Sequence, residues 1–185
     1  MANKVTYGLE NVYIAFAGTT DYDSPKPIPG AVNFTPTPQG TAVDFYADNS
    51  KYYFYNTNDG YTADLEVALI PDDILAEMLG WKVDELGGIV EVRDATPKRF
   101  ALMGEVKGDT ANRKFVYYDV QAARPSNNHA TTTATNDPQT TTLPITIFPI
   151  KIGDDVIVKY VMEKSDTNAT EYAAFFTAVP EPDYA

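Results

Sequence analysis

Apolar and polar residues alternate with period two along most of this chain, and a helical period stands out once. Val12, Ile14 and Phe16 alternate with Tyr13, Ala15 and Ala17, a first strand that ends at Gly18. Pro25, Pro27 and Pro29 then punctuate a loop from Asp21 to Gly30, where missing amide donors exclude a central strand. Strands are predicted next over Val43–Ala47 and Lys51–Tyr55, with Asn58-Asp59-Gly60 as a tight reversal into a strand at 61–69. In that strand Thr62, Asp64, Glu66 and Ala68 share one face, and Ala63, Leu65, Val67 and Leu69 share the other. One face is suited to a core and the other to water.

The helical stretch opens at Pro71, whose fixed φ suits a first turn, and Asp72 and Asp73 set negative charge against the positive end of the dipole. Ile74, Leu75, Met78 and Leu79 form its apolar stripe, Gly80 stops it and Trp81 pins its exit. A helix this short survives only on a sheet. Further strands are predicted at Ile89–Arg93, Arg99–Lys107 (Phe100, Leu102 and Val106 on one face) and Lys114–Gln121 (Val116, Tyr118 and Val120 on one face), the last two joined through Gly108–Asn112. Residues 122–142 are polar and threonine-rich, which predicts an exposed loop. Strands return at Ile145–Ile152, after a turn at Gly153-Asp154 with Val156, Val158, Tyr160 and Met162 on one face, and at Tyr172–Val179. About nine strands and one helix, without βαβ alternation, predict one mainly β domain over residues 1–185: an antiparallel sandwich or barrel with one flanking α-helix.

Charge alters this picture: 26 acidic against 14 basic residues give a net −12, so DNA is repelled unless basic clusters intervene. The densest basic pairs, Lys98-Arg99 and Arg113-Lys114, read as solvated strand ends. There is no cysteine, which removes disulfides, thiolate metal sites and cysteine nucleophiles together. With one lysine and no long apolar run, the first residues do not resemble a signal peptide, so synthesis and folding in a cytoplasm are expected, without membrane association. The sequons at Asn33 and Asn168 then carry no weight.

Catalytic candidates are few. The only histidine, His129, lies beside Asn127 and Asn128 in the threonine-rich loop, where nothing fixes its tautomer. No glycine-rich loop joins a strand to a helix, and Gly87-Gly88 is a turn. Asp64 with Glu66, Asp72 and Asp73 with Glu77, and Asp154-Asp155 are the carboxylate groups weighed for a hard cation or glycoside hydrolysis. Helix-dipole and turn roles explain most of them, so no catalytic residue, metal or cofactor is expected. Tyr52, Tyr53, Phe54 and Tyr55, with Tyr61, cluster on one hairpin, and consecutive strand side chains point to opposite faces. A sugar-stacking platform, a subunit interface and two-sided burial all remain open for them.

The succession NVYIAFAG, KPIPGAVNFTPTPQGTAVDFYADNSKYYFYNTNDGYTADLEVALIPDDILAEMLGW, FALMGEV, KFVYYDVQAARP and TTTLPITIFPI resembles the major tail protein of long-tailed, non-contractile bacteriophages of Gram-positive hosts. FYADN at 45–49, NDGY at 58–61 and the PDDILAEMLG helix carry most of it. The resemblance implies a non-enzymatic virion protein of the tail, synthesised in the bacterial host cytoplasm, whose hexameric rings stack into a tube that conducts DNA, each copy lending four strands to an inner barrel. Twenty-four strands about 4.8 Å apart and tilted about 40° give a backbone diameter near ~48 Å, wide enough for a duplex. Tape-measure, tail-terminator and baseplate proteins are the further partners it implies, with DNA passing unbound. On this reading Asp44, Asp64 and Glu66 face the lumen, and Tyr52, Tyr53, Phe54 and Tyr55, on a link from Asn49 to Asn58, make contacts between subunits or rings. A carbohydrate-binding or adhesin-type module and another head–tail structural protein are the alternatives.

Overall fold

The structure, a computed structural model, describes residues 3–127, 131 and 139–182. His129 and most of the threonine-rich loop lie outside the described residues. In chain order the elements are β1 (Thr6–Phe16), β2 (Lys26–Pro27), β3 (Ala31–Gln39), β4 (Ala42–Ala47), β5 (Ser50–Asn56), β6 (Gly60–Val67), α1 (Asp72–Leu79), β7 (Lys82–Val83) and β8 (Ile89–Val90). They continue as β9 (Arg99–Gly108), β10 (Arg113–Ala122), β11 (Thr141–Phe148), β12 (Ile150–Ile152), β13 (Asp155–Ile157), β14 (Lys159–Glu163) and α2 (Ala169–Ala174).

The long alternating runs build one antiparallel sheet in the order β2-β1-β9-β10-β11-β6-β3. Strand β14 joins it against the first half of β10, while β11 takes the second half of the same edge. The end strands β2 and β3 are not paired with each other, so the sheet is not a closed barrel and the architecture is a β-sandwich. Its inner faces and the stripe of α1 enclose the main core, with Val12, Ile14 and Phe16 of β1, Leu65 and Val67 of β6, Leu143, Ile145 and Ile147 of β11, and Ile74, Met78 and Leu79 of the helix. Helix α1 stops at Gly80, whose φ of 68° suits a residue without Cβ, and Trp81 donates to the Ala76 carbonyl at 2.8 Å while its ring packs on the core. Pro71 is the residue before the helix, one earlier than the sequence suggests. Glu77 is clamped by Lys26 and Lys98, each at 2.8 Å.

The central strands β1, β9 and β10 are apolar on both faces. Ala15, Ala101, Met103, Val116 and Tyr118 point away from the main core into a second one, closed by Phe175. This cover corrects the predicted strand at Tyr172–Val179, because the segment enters α2 instead. Tyr172, Phe175, Phe176 and Val179 are spaced i, i+3, i+4, i+7, the helical period, and this stripe lies on the sheet. Tyr13 stacks on Phe176 at 4.8 Å, and Tyr118 donates to the Pro180 carbonyl at 2.9 Å.

Other expectations also yield. A bulge between Tyr117 and Val120 turns Val120 into the main core, so it does not share a face with Val116 and Tyr118. The strand expected at Ile89–Arg93 shrinks to Ile89–Val90, paired with β7. Strand 145–152 breaks after Phe148, and a bend at Val158 buries that residue while Val156 stays exposed. Strand β3 has no counterpart among the expected strands, since Pro36 and Pro38 argue against one; an end strand tolerates them because one of its edges needs no donors.

Phe175 is 1% exposed, so Phe175→Ala is expected to cost about 3–5 kcal/mol in chemical denaturation. A loss below about 1 kcal/mol would show that α2 is not the lid of the second core.

Burial acts to raise the Glu77 pKa, but the hydrogen bonds and charges of Lys26 and Lys98 outweigh it and leave the pKa lowered. A lowered folded pKa gives stability that is present above the unfolded carboxylate range and lost as pH falls through the folded value. The wild-type advantage over Glu77→Gln in denaturant midpoint should therefore shrink between about pH 7 and about pH 3. A pH-independent gap would contradict the clamp.

Candidate functional site: an exposed aromatic arm

Strands β3 and β6 pair along their length, Phe34 opposite Leu65 and Gln39 opposite Gly60, and between these ends the chain makes an excursion. Residues 42–56 pair only with themselves, as the two-stranded ribbon β4–β5. Thr57 donates to the Thr41 carbonyl at 3.1 Å at its base. Its tip is Asp48-Asn49, both left-handed at φ 50° and 58°, the backbone of a two-residue turn matched to strand twist. The reversal expected at Asn58-Asp59-Gly60 therefore lies ten residues earlier, and β5 is not the partner of β6. Gly60 is still required: at φ 97° its Cα faces the Ile147 carbonyl, so a Cβ would collide with β11.

Nothing among the described residues covers this arm. Val43, Phe45, Tyr46, Tyr52, Tyr53, Phe54 and Tyr55 are all about half exposed or more, Tyr52 at 73%. By register Val43, Phe45, Tyr53 and Tyr55 share one face, and a bulge at Tyr52 brings its ring edge-on to Phe45 at 6.5 Å. Asp44, Lys51 and Phe54 occupy the other face; Lys51 pairs with Asp44 at 2.6 Å and lies 4.3 Å from the Phe54 ring centroid. The four aromatics singled out from sequence are thus together and exposed, ruling out burial inside one chain. Sequence reasoning did not add Val43, Phe45 and Tyr46 to them, although their alternation was visible.

The candidate acidic residues divide. Asp64 is exposed and Glu66 half-buried on the outward face of β6, opposite the buried Ala63, Leu65 and Val67, as the alternation requires. Their register neighbours are Asn33, Thr35 and Thr37 of β3 and Thr142, Pro144 and Thr146 of β11, none of them basic. Thr140 donates to Glu66 at 2.6 Å. Asp44 stands apart on the arm, its charge offset by Lys51.

The densest polar chemistry lies under α2. Glu105 and Lys114, register partners on β9 and β10, are 7% and 6% exposed. Asn11, Asn112 and Tyr172 donate to the Glu105 carboxylate at 2.8–2.9 Å, and Lys114 donates to the Tyr172 carbonyl at 2.7 Å with its ammonium 4.1 Å from the Tyr172 ring centroid. Burial acts to raise the Glu105 pKa, yet these donors and Lys114 hold it lowered; burial lowers that of Lys114, partly offset by Glu105. Lys114 is therefore no solvated strand end. Tyr172 and Lys114 fasten α2, and Asn11 and Asn112 complete the shell of Glu105, so the network is structural. The other basic residues of those pairs are half exposed and engaged: Lys98 with Glu77, Arg99 with Asp119 at 3.2 Å and Arg113 with Glu163 at 3.5 Å.

Among the described residues no three acidic or histidine side chains converge as metal ligands, and no helix is long and apolar enough to cross a membrane. A cleft of about 830 Å³ is lined by Trp81, Arg93, Pro97, Gln121 and Arg124, with Arg124 bound to Glu91 at 2.9 Å.

No family model matches the chain, and no curated protein matches it in sequence. Its fold is similar to that of a chain in the cryo-EM structure of the anti-feeding prophage cap, the tube-terminating cap, with TM-score 0.55 and 5% identity over 89% of this chain and 95% of that one. A chain of the same prophage's six-fold symmetrised baseplate gives TM-score 0.47 and 9% identity over 88% of this chain and 97% of that one. At these identities the first likeness is one of fold.

L-residues pay about 1–2 kcal/mol in the left-handed region, less for Asn and Asp, whose side chains bond locally. Asp48→Ala with Asn49→Ala should therefore loosen the arm, raising hydrogen exchange at 42–56 on the order of tenfold, with unchanged protection in β9 and β10. Equal loss of protection in both regions would show that the arm is not an independent unit.

Proposed function

We propose that this protein is a structural subunit of a phage-type tail, whose copies form hexameric rings stacked into a tube through which DNA passes. The arm carries the proposal. A two-stranded ribbon without a third layer is marginal in water, and this one exposes seven large apolar side chains, so its working form is one in which a partner covers it. Tyrosine and phenylalanine are the residues that anchor protein interfaces. The resemblance of the sequence to major tail proteins and the likeness of fold to a tube-cap chain both support the same class. Asp64 and Glu66, on a face without bases, suit a wall that repels phosphate without binding it.

A second reading has a specific observation behind it: a solved structure of similar fold belongs to a tube-terminating cap. A subunit of that kind would stop at one ring. A sugar-binding role for the arm is less favoured, because its aromatics lie on both faces of a thin ribbon and not on a supported platform.

Negative-stain microscopy of the purified chain tests the proposal directly. Tubes are expected; single rings of fixed size would favour the terminating role, and monomers at every concentration would overturn both. Tyr53→Ser with Phe54→Ser should leave thermal unfolding of the domain unchanged and reduce the assembled fraction. Two interface anchors at about 2 kcal/mol each predict a fall well beyond tenfold. Assembly at wild-type levels would remove the arm from the interface.

A further inference from the structure

Only part of the main sheet has an uncovered face. Strands β1, β9 and the first half of β10 lie between the two cores, with β14 beside them. Strands β3, β6, β11 and the end of β10 set one face on the main core, and the other is exposed or half-buried. On that face Gln121, Thr146, Thr62 and Thr37 form one register row across all four strands, and the rows beside it carry Asp64 and Glu66 and no base. This layer ends at two unlike edges. Along β3, Thr35 and Thr37 turn their backbone to β6 and Phe34, Pro36 and Pro38 turn theirs outward, so residues 34–38 present carbonyls and a single outward amide, that of Phe34. At the opposite edge β9 stops at Arg99, the partner of Gln121, while the chain runs on beside β11. Ala123 donates to the Pro144 carbonyl at 2.8 Å, which turns the backbone of Ala122 and Arg124 away from β11 and toward the cleft of about 830 Å³. Donors line that cleft. The Arg93 guanidinium and the Trp81 indole N–H have no hydrogen-bond partner among the described residues.

We propose that β3, β6, β11 and the end of β10 are the strands that line the bore, and that copies join by seating the β3 edge of one in the Trp81–Arg124 cleft of the next. The occupant is a second copy because the two edges are complementary. One offers carbonyls almost without amides; the other offers Arg93, Trp81 and the Arg124 amide as donors, and sets an indole ring where Pro36 and Pro38 arrive, as aromatic-lined grooves take proline-rich segments. Two β3 edges would bring carbonyl against carbonyl. The contact is therefore head-to-tail, the kind that closes a ring. Direction agrees: three antiparallel steps separate β3 from β10, so they run opposite ways, and rotation about a ring axis keeps the seam antiparallel like the rest of the layer. Six copies of this layer supply the strands of an inner barrel wide enough for a duplex. Strand β14 and the first half of β1 also have open edges, but they belong to the layer roofed on both sides, where an added strand would not line a bore. The inference rests on the proposed ring-forming function and adds which strands form the wall and where copies meet.

The chain has no cysteine, so thiols can be placed singly. Thr37 and Ala123 are exposed on the uncovered face, one at each edge of the layer. Chains carrying Thr37→Cys and chains carrying Ala123→Cys are mixed, assembled and treated with a short thiol crosslinker. A mixed dimer is expected as the main product. Predominance of either homodimer, or assemblies without any mixed product, overturns the seam but leaves the ring-forming function standing; a wild-type chain that never assembles overturns both. A second variant reads the cleft itself. Arg93 holds no partner among the described residues, so Arg93→Ala should keep the wild-type unfolding temperature while its assembled fraction, measured by sedimentation, falls about tenfold, the effect of one lost charge-assisted hydrogen bond. Assembly equal to wild type would overturn the seating of β3 in this cleft.

Discussion

The hairpin β9–β10 is apolar on both faces, and this two-sided demand organises the whole molecule. Phe100, Leu102, Tyr117 and Val120 face one core, while Ala101, Met103, Val116 and Tyr118 face another. A strand pair of this kind is stable only when both faces are roofed. The first roof is the sheet itself, folded over through β11, β6 and β3 and closed by α1. The second is the C-terminal segment, bolted down by Glu105, Lys114 and Tyr172 as well as by Phe175. Once both roofs are in place, both cores are filled without any residue of the arm. The arm is therefore exposed as a consequence of a core that is already complete.

What was legible in the sequence follows from the range of each signal. The β9–β10 hairpin and α1 depend on local periodicity and on punctuation at Gly108 and Gly80, and both appear where the pattern puts them. The face of β6 that carries Asp64 and Glu66 was equally plain. The arm was not, because alternation looks the same whether a strand joins a sheet or leaves it; only pairing decides, and pairing is long-range. Segment 172–179 carried two patterns at once, period two through Tyr172, Ala174 and Phe176, and the helical one through Tyr172, Phe175, Phe176 and Val179. The helical set holds every large apolar residue, and weighting positions by size would have chosen it. The burial of Lys114 followed from that error: without α2 as a roof, a lysine at a strand end has no reason to be inside.

Electrostatics restricts how an assembly of this chain could hold together. Among the described residues, Lys26, Lys51, Lys98, Arg99, Lys107, Arg113 and Arg124 each contact a carboxylate of their own chain. The 26 acids against 14 bases then leave an excess of negative charge, with half of the bases already engaged within their own chain. Approach of one copy to another is repulsive beyond about a Debye length, roughly 8 Å at physiological salt, so any attraction has to be short-ranged. Apolar contact and strand pairing meet that requirement; surface ion pairs do not.

Tyrosine is the side chain that fits both states of such a surface. In the free chain the hydroxyls of Tyr46, Tyr52, Tyr53 and Tyr55 stay hydrated and limit the cost of exposing the rings; in the proposed assembly the same rings would bury large rigid areas while losing few rotamers. Leucine or isoleucine there would make the free chain prone to indiscriminate association, with no gain in directionality. In the proposed assembly the net charge of −12 would act in the same sense, keeping copies apart until their contact surfaces meet. Repulsion at long range and adhesion at short range together favour few, well-registered contacts over many poor ones, the condition under which identical subunits close a regular ring.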